Sequence, residues 1–231
     1  MIISGLQKLS LLDYPEKVAC TIFTHGCNLR CPFCHNKSLV VESATNIIPE
    51  EDIYKFLESR VGRLDAVCIS GGEPLLNLDI IQFAKRIKEL GYLVKVDTNG
   101  TMPERLEELC KSGYVDYIAM DIKNSLEKYS RTCGIDKIIV GKVNKSVEFL
   151  INQEYVDYEF RTTCSKTLHT TDDITRIAMW IDKCKHYYLQ KYLQSDCVID
   201  PSCKEFTDEE MKTLQEAAKQ IIPNTKLRGV E

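Results

Sequence analysis

Three cysteines stand closer together in this chain than packing requires. Cys27, Cys31 and Cys34 fall at C-x-x-x-C-x-x-C spacing in T-H-G-C-N-L-R-C-P-F-C-H-N, residues 24–36, directly after a short apolar run. Thiols spaced this densely face a common centre, and the usual reason is a shared metal. A structural zinc site takes four closed ligands, and an iron–sulfur cube held only by cysteine also takes four. The local motif supplies three. A cube would leave one iron open to a small ligand, whereas zinc would need His25, His35 or a distant cysteine. Three buried thiols without a metal are the plainest alternative. Phe33, inside the C-x-x-C, is either a core aromatic or a wall on which a base stacks.

Further polar groups recur at regular intervals. Ser70-Gly71-Gly72-Glu73-Pro74 follows an apolar run. Two glycines most often mean a tight turn, but they also let backbone N–H and C=O groups approach a ligand closely, as an amino-acid moiety requires. Asp97-Thr98-Asn99-Gly100 and Asp121-Ile122-Lys123 close two later apolar runs. Any one of these residues alone would read as loop polarity; together they read as ligand contacts. Arg161, within Y-E-F-R-T-T-C, faces either solvent or an anion such as a carboxylate. His169 and His186 read as surface or packing histidines, and Cys20, Cys68 and Cys110 as small hydrophobes. Cys164, Cys184, Cys197 and Cys203 have irregular spacing, and a second metal site is the minority reading of them.

The elements that must position these groups alternate. Strands are expected over Val18–Phe23, Asp65–Ile69, Tyr92–Val96, Tyr117–Asp121, Tyr158–Thr163 and Tyr187–Leu193. Helices are expected from Pro49 through P-E-E-D-I-Y-K-F-L-E-S-R-V, and over about Leu78–Leu90, Pro103–Ser112, Val140–Asn152, Thr171–Cys184 and Asp208–Ile222. Gly91 and Gly113 are C-terminal stops, and Thr207-x-x-Glu210 is a capping box. Asn124–Asp136 reads as an irregular connection. Six strands joined by helical crossovers imply a parallel α/β sheet, an open or partial (β/α)6 barrel with outer helices. Reactive groups in such folds gather beyond the carboxyl ends of the strands, where these clusters fall.

Bulk properties narrow the class. The 231 residues carry no repeat and no Gly/Ser/Pro-rich linker, so one domain is expected over 1–231, with a core of about 16–193 and a C-terminal extension of about 194–231. A net charge of -4 gives no electrostatic reason to expect nucleic acid or an anionic membrane. No apolar run approaches the roughly 20 residues that span a bilayer. The N-terminal residues lack a basic region followed by a long apolar core, so no signal peptide is expected. Eleven cysteines, an odd number, argue for a reducing compartment, and a cytoplasmic protein is expected.

With these motifs placed, the chain resembles the radical S-adenosylmethionine (SAM) superfamily, and within it the activating enzymes of glycyl radical enzymes. The C-x-x-x-C-x-x-C is similar to that family's cluster motif and G-G-E-P to its SAM amino-group motif. The opening G-L-Q-K-L-S-L-L-D-Y-P and the cysteine segment look most like the activating proteins of anaerobic ribonucleoside-triphosphate reductase. D-T-N-G and M-D-I-K are similar to segments of pyruvate formate-lyase activating enzyme. The resemblance implies that Cys27, Cys31 and Cys34 hold a [4Fe-4S] cluster whose fourth iron SAM chelates. It implies that Gly71, Gly72 and Glu73 face the SAM amino group and Phe33 the adenine. Thr98, Asn99, Asp121, Lys123 and Arg161 would contact its carboxylate and ribose. Asp97, Thr98 and Asp121 would bind a monovalent cation. The implied activity is oxidoreductive: one electron splits SAM to methionine and a 5′-deoxyadenosyl radical, which takes a hydrogen atom from a glycine of a partner. Anaerobic ribonucleotide reductase is the implied partner, with pyruvate formate-lyase, another glycyl radical enzyme or a small-molecule substrate as alternatives, and a flavodoxin- or ferredoxin-type protein as electron donor. Many relatives insert extra clusters between the cysteine and G-G-E motifs. Here that interval reads as one helix and one strand, with no cysteine until Cys68, so a single cluster is expected.

Overall fold

The computed structural model describes residues 1–134 and 139–230. Asp136, the expected end of the irregular connection, lies outside the described residues. One eight-stranded sheet runs in chain order. Its strands are β1 (Ile3–Ser10), β2 (Ala19–Thr24), β3 (Ala66–Gly71), β4 (Leu93–Thr98), β5 (Tyr117–Asp121), β6 (Asp157–Cys164), β7 (Tyr187–Lys191) and β8 (Lys226–Arg228). Pairing is parallel from β2 to β8. The six expected strands are β2–β7, each within two residues of its expected bounds.

Two differences from the expected sheet have physical reasons. β1 pairs antiparallel with β2, so the sheet is not wholly parallel. Its sequence, I-S-G-L-Q-K-L-S, buries only Ile3 and Ser10; an edge strand half in solvent carries no apolar alternation to betray it. β8 is three residues long and only partly buried, too short for any pattern.

Helices α1 (Lys37–Val41), α2 (Glu50–Glu58), α3 (Ile80–Glu89), α4 (Pro103–Lys111), α5 (Tyr129–Thr132), α6 (Val140–Asn152), α7 (Thr171–Trp180) and α8 (Asp208–Lys219) fill the connections. Pro103 opens α4 at a position whose N–H would be unbonded in any case. Capping boxes open α7, through Thr170 and Asp173, and α8, through Thr207 and Glu210. α7 stops at Trp180 instead of Cys184. The interval between the cysteine motif and G-G-E holds two helices, because the five-residue α1 precedes α2. A helix that short gives no periodic signal.

Side chains alternate across the strands. Cys20, Ile22, Val67, Ile69, Val94, Val96, Ile118 and Met120 join the helices in the main core. On the opposite, inner face a separate cluster of Tyr14, Ala19, Ala66 and Cys68 packs with Leu93 and Tyr117. Above it on the same face come Lys95, Asp97, Asp121 and Arg161. The sheet thus wraps an interior that is apolar at one end and charged at the other. Among the described residues no helix is long and apolar enough to cross a membrane.

Candidate active site

At the carboxyl ends of β2–β6 lies an open cavity of about 200 Å³. Cys27, Cys31, Phe33, Cys34, Gly71, Gly72, Asp97, Thr98, Asn99, Asp121, Lys123 and Arg161 all line it. The structure therefore brings together every candidate residue from the sequence except Glu73, which stands behind the wall.

The cysteine loop is held from three sides. Gly26 N donates to Leu39 O at 2.8 Å, and Glu73 N donates to Gly26 O at 2.8 Å. Asn28 joins the loop to the β4 turn: its Nδ2 donates to Thr101 Oγ1 at 2.7 Å, and its Oδ1 accepts from Asn99 Nδ2 at 2.9 Å. Beyond the last cysteine, His35 Nε2 lies 2.6 Å from Leu193 O, and Asp200 N donates to Pro32 O at 2.8 Å. The C-terminal segment thus closes over the loop.

The glycine pair has a steric cause. A Cβ on Gly72 would lie 1.9 Å from Gly26 O, and one on Gly71 would lie 2.5 Å from the Thr24 backbone. Only bare backbone lets the β3 turn lie this close to the cysteine loop. Gly71 also has a φ of +111°.

Glu73 is fully buried. Its carboxylate accepts from Thr98 Oγ1 at 2.8 Å, Asn99 N at 2.7 Å and Leu75 N at 3.1 Å. Burial pushes its pKa up to about 7 against the pull of these donors. The acid fixes Thr98 and Asn99, which do line the cavity.

Asp97 and Asp121 form a charged girdle with three cations. Asp97 takes Lys95 Nζ at 2.5 Å, Arg161 Nη1 at 3.4 Å and Ser70 Oγ at 2.9 Å. Asp121 takes Lys123 Nζ at 2.8 Å and Arg161 Nε at 3.0 Å. Burial opposes ionisation of both acids, but Arg161 with Lys95 or Lys123 outweighs it, holding both below the usual carboxylate range. Arg161 therefore points at carboxylates, and they belong to this chain.

The donor set fits an iron–sulfur cluster. Cys27, Cys31 and Cys34 are the only cysteines on the described lining. Among the described residues no three His, Cys, Asp or Glu side chains converge as one metal ion would require. A single zinc needs that convergence; a cube spreads its irons over several corners. The same result leaves Cys164, Cys184, Cys197 and Cys203 without an assembled site. His25 is turned away, with its ring nitrogens 3.3 Å from Ser4 Oγ and 3.0 Å from Glu42 O. Burial raises the thiols of Cys27, to about 11, and of Cys34. Cys31 is lowered, chiefly by a hydrogen bond from Cys133. Cys133 itself is fully buried, and its carbonyl accepts from Arg30 N at 2.8 Å.

Sequence reasoning passed over Cys133, Asn28 and Lys95, and gave His169 only a packing role. His169 is buried between Lys123 O, 2.9 Å from Nε2, and Ser165, and thus supports the backbone of the lysine that reaches the cavity. An odd cysteine count was the available signal for Cys133; an i, i+2 lysine–aspartate pair in a strand was the signal for Lys95.

Comparisons with known proteins follow this geometry. A Methanocaldococcus jannaschii protein named "Putative glycyl-radical enzyme activating enzyme MJ1227" is 36% identical over 99% of this chain and 96% of its own length. A "Probable GTP 3',8-cyclase" of Saccharolobus solfataricus is 28% identical over 60% of this chain and 49% of its own length. Among solved structures, Streptococcus suis SuiB bound to precursor peptide SuiA superimposes with a TM-score of 0.71 at 18% identity. That match covers 90% of this chain and 48% of SuiB, and it speaks for the fold alone. Residues 21–155 match the model of the radical SAM superfamily, and with the cavity and its three cysteines this makes the chain a radical SAM enzyme, a member of a family whose resident groups are a [4Fe-4S] cluster and SAM.

Proposed function

We propose that this chain activates a glycyl radical enzyme, and that anaerobic ribonucleoside-triphosphate reductase is its partner. The observation that carries the reading is the end-to-end likeness, 36% over 99% of the chain, to a protein named as an activating enzyme of that type. The similarity to the cyclase covers much less of both chains.

Cys27, Cys31 and Cys34 would hold the cluster at the cavity floor and leave one iron without a side chain. The bound groups supply one-electron cleavage of the sulfonium and a 5′-deoxyadenosyl radical able to take hydrogen from carbon. The chain's own work is holding and screening. Gly71 and Gly72 would offer backbone groups to the amino end of SAM, and Glu73 would keep Thr98 and Asn99 in place. Phe33, only 4% exposed, would give the adenine a flat wall, with Lys123 Nζ 5.9 Å from its ring centroid. Lys123, Asp121 and Arg161 would meet the ribose and carboxylate. The mouth of the cavity would admit an extended glycine-bearing loop, and a flavodoxin- or ferredoxin-type protein would supply the electron.

The test is anoxic mixing of the reconstituted protein with SAM, a reductant and purified partner, read by EPR. A glycyl radical on the ribonucleotide reductase, and none on pyruvate formate-lyase, is the expected result. The reverse would transfer the assignment to the lyase. SAM turnover with neither radical would remove the activase reading.

A further inference from the structure

The resemblance implies a monovalent cation held by Asp97, Thr98 and Asp121, but in this chain each of those oxygens is engaged. Asp97 Oδ1 receives Lys95 Nζ and Arg161 Nη1, and its Oδ2 receives Ser70 Oγ. Asp121 Oδ1 receives Arg161 Nε and its Oδ2 receives Lys123 Nζ. Thr98 Oγ1 donates to Glu73 and accepts from Gly100 N at 3.2 Å. A hard cation is drawn to oxygens whose negative charge is not yet matched, and each of these carboxylates already faces two positive side chains. It would here also sit against three positive side chains, in a site where charge is weakly screened.

Lys95 is the residue that makes the difference. It lies in the interior of β4, two residues before Asp97 and on the same face, and is only 2% exposed. A buried ammonium is retained where a carboxylate meets it, and Asp97 does so at 2.5 Å. We infer that the girdle binds no monovalent metal ion, because the ammonium of Lys95 takes the place of one, positioning Asp97 at the cavity wall. The inference rests on reading this cavity as the SAM site, but not on the identity of the partner.

The experiment compares KCl, NaCl and choline chloride at equal ionic strength. Two properties are read: thermal unfolding of the cluster-free protein, and SAM affinity of the anoxically reconstituted protein. The wild type should show the same melting temperature and, within twofold, the same affinity in all three salts. A saturable gain in either property with K⁺ or Na⁺ over choline would overturn the inference without touching the SAM assignment. Lys95→Met should lose at least tenfold in SAM affinity in choline and recover most of it in K⁺ or Na⁺. A folded variant that binds as wild type in choline would contradict the inference. So would a loss that no salt recovers, because the lysine would then serve by something other than its charge. If the variant does not fold, the wild-type comparison decides alone.

Discussion

Cys133 could stand to the cluster in either of two ways. Its thiol hydrogen-bonds Cys31, and eleven thiols leave more than one way to complete four ligands. If the fourth iron is open, Cys133 donates a hydrogen bond and binds no iron. Cys133→Ala should then keep about four irons per chain after anoxic reconstitution, whereas alanine at Cys27, Cys31 or Cys34 should lose most of the iron, as measured by iron analysis and visible absorption. Glu73 makes a second prediction, on stability. Its ordinary pKa of 4.5 is raised to about 7 by burial, so between these values the native state holds a proton that the unfolded state has lost. Stability from this group therefore falls as pH rises from 5 to 7, by about 2 kcal/mol. His169, lowered by burial, slopes the other way: its contribution grows as pH rises and is lost on acidification. Asp97 and Asp121, both lowered, act only below about pH 4, where their stabilisation disappears. The Glu73 share is isolated by urea unfolding of wild type and Glu73→Gln at pH 5 and 7: the variant should show a smaller fall, and an equal fall would contradict the assignment.

The turn after β3 shows what single residues do for an element. Gly72 has no left-handed φ, yet any Cβ there would collide with Gly26 O. Gly113 has a φ of +75° and open space around it. Gly113→Ala should cost about 1 kcal/mol, the ordinary penalty of a left-handed alanine. Gly72→Ala should cost about 3 kcal/mol or more, because the cysteine loop must move; it should also weaken cluster retention, which Gly113→Ala should leave intact. Equal costs would show that the close approach is dispensable. Element by element, β2–β6 could be read from sequence because most of their residues are buried, and β7 because Tyr187 and Leu189 alternate with partly exposed neighbours. β1, β8, α1 and α5 could not: edge strands and single helical turns carry no period. The candidate residues line one cavity because the parallel strands β2–β6 all end at one rim. Glu73 was expected to face the cavity, but its place behind Thr98 and Asn99 is set by side-chain hydrogen bonds that no spacing encodes. Lys95 was missed because a buried lysine in a strand looks, in sequence, like one on a solvated face.

Across the molecule, the C-terminal residues complete the barrel interior. Arg228, on β8, donates to both carboxylate oxygens of Glu159, at 2.7 and 2.8 Å, and Glu159 is fully buried on β6. Tyr117 OH adds a third bond to the same carboxylate at 3.0 Å. Arg228→Ala should strand that acid and cost about 3 kcal/mol in urea unfolding; a loss under about 1 kcal/mol would mean that the tail only decorates the sheet. The same tail reaches back across the rim, through Asp200 and Leu193, to the loop that carries Cys31 and Cys34. The proposed function requires this fold to be drawn around a single iron that no side chain occupies. The sharpest check on that iron is the EPR spectrum of the anoxically reduced, reconstituted protein before and after addition of SAM, taken on wild type and Cys133→Ala alike. Both should change signal on addition, as a ligand enters the vacant position. An unchanged spectrum in the wild type, with a change appearing only once Cys133 is removed, would show a cluster closed by four cysteines and contradict the open iron.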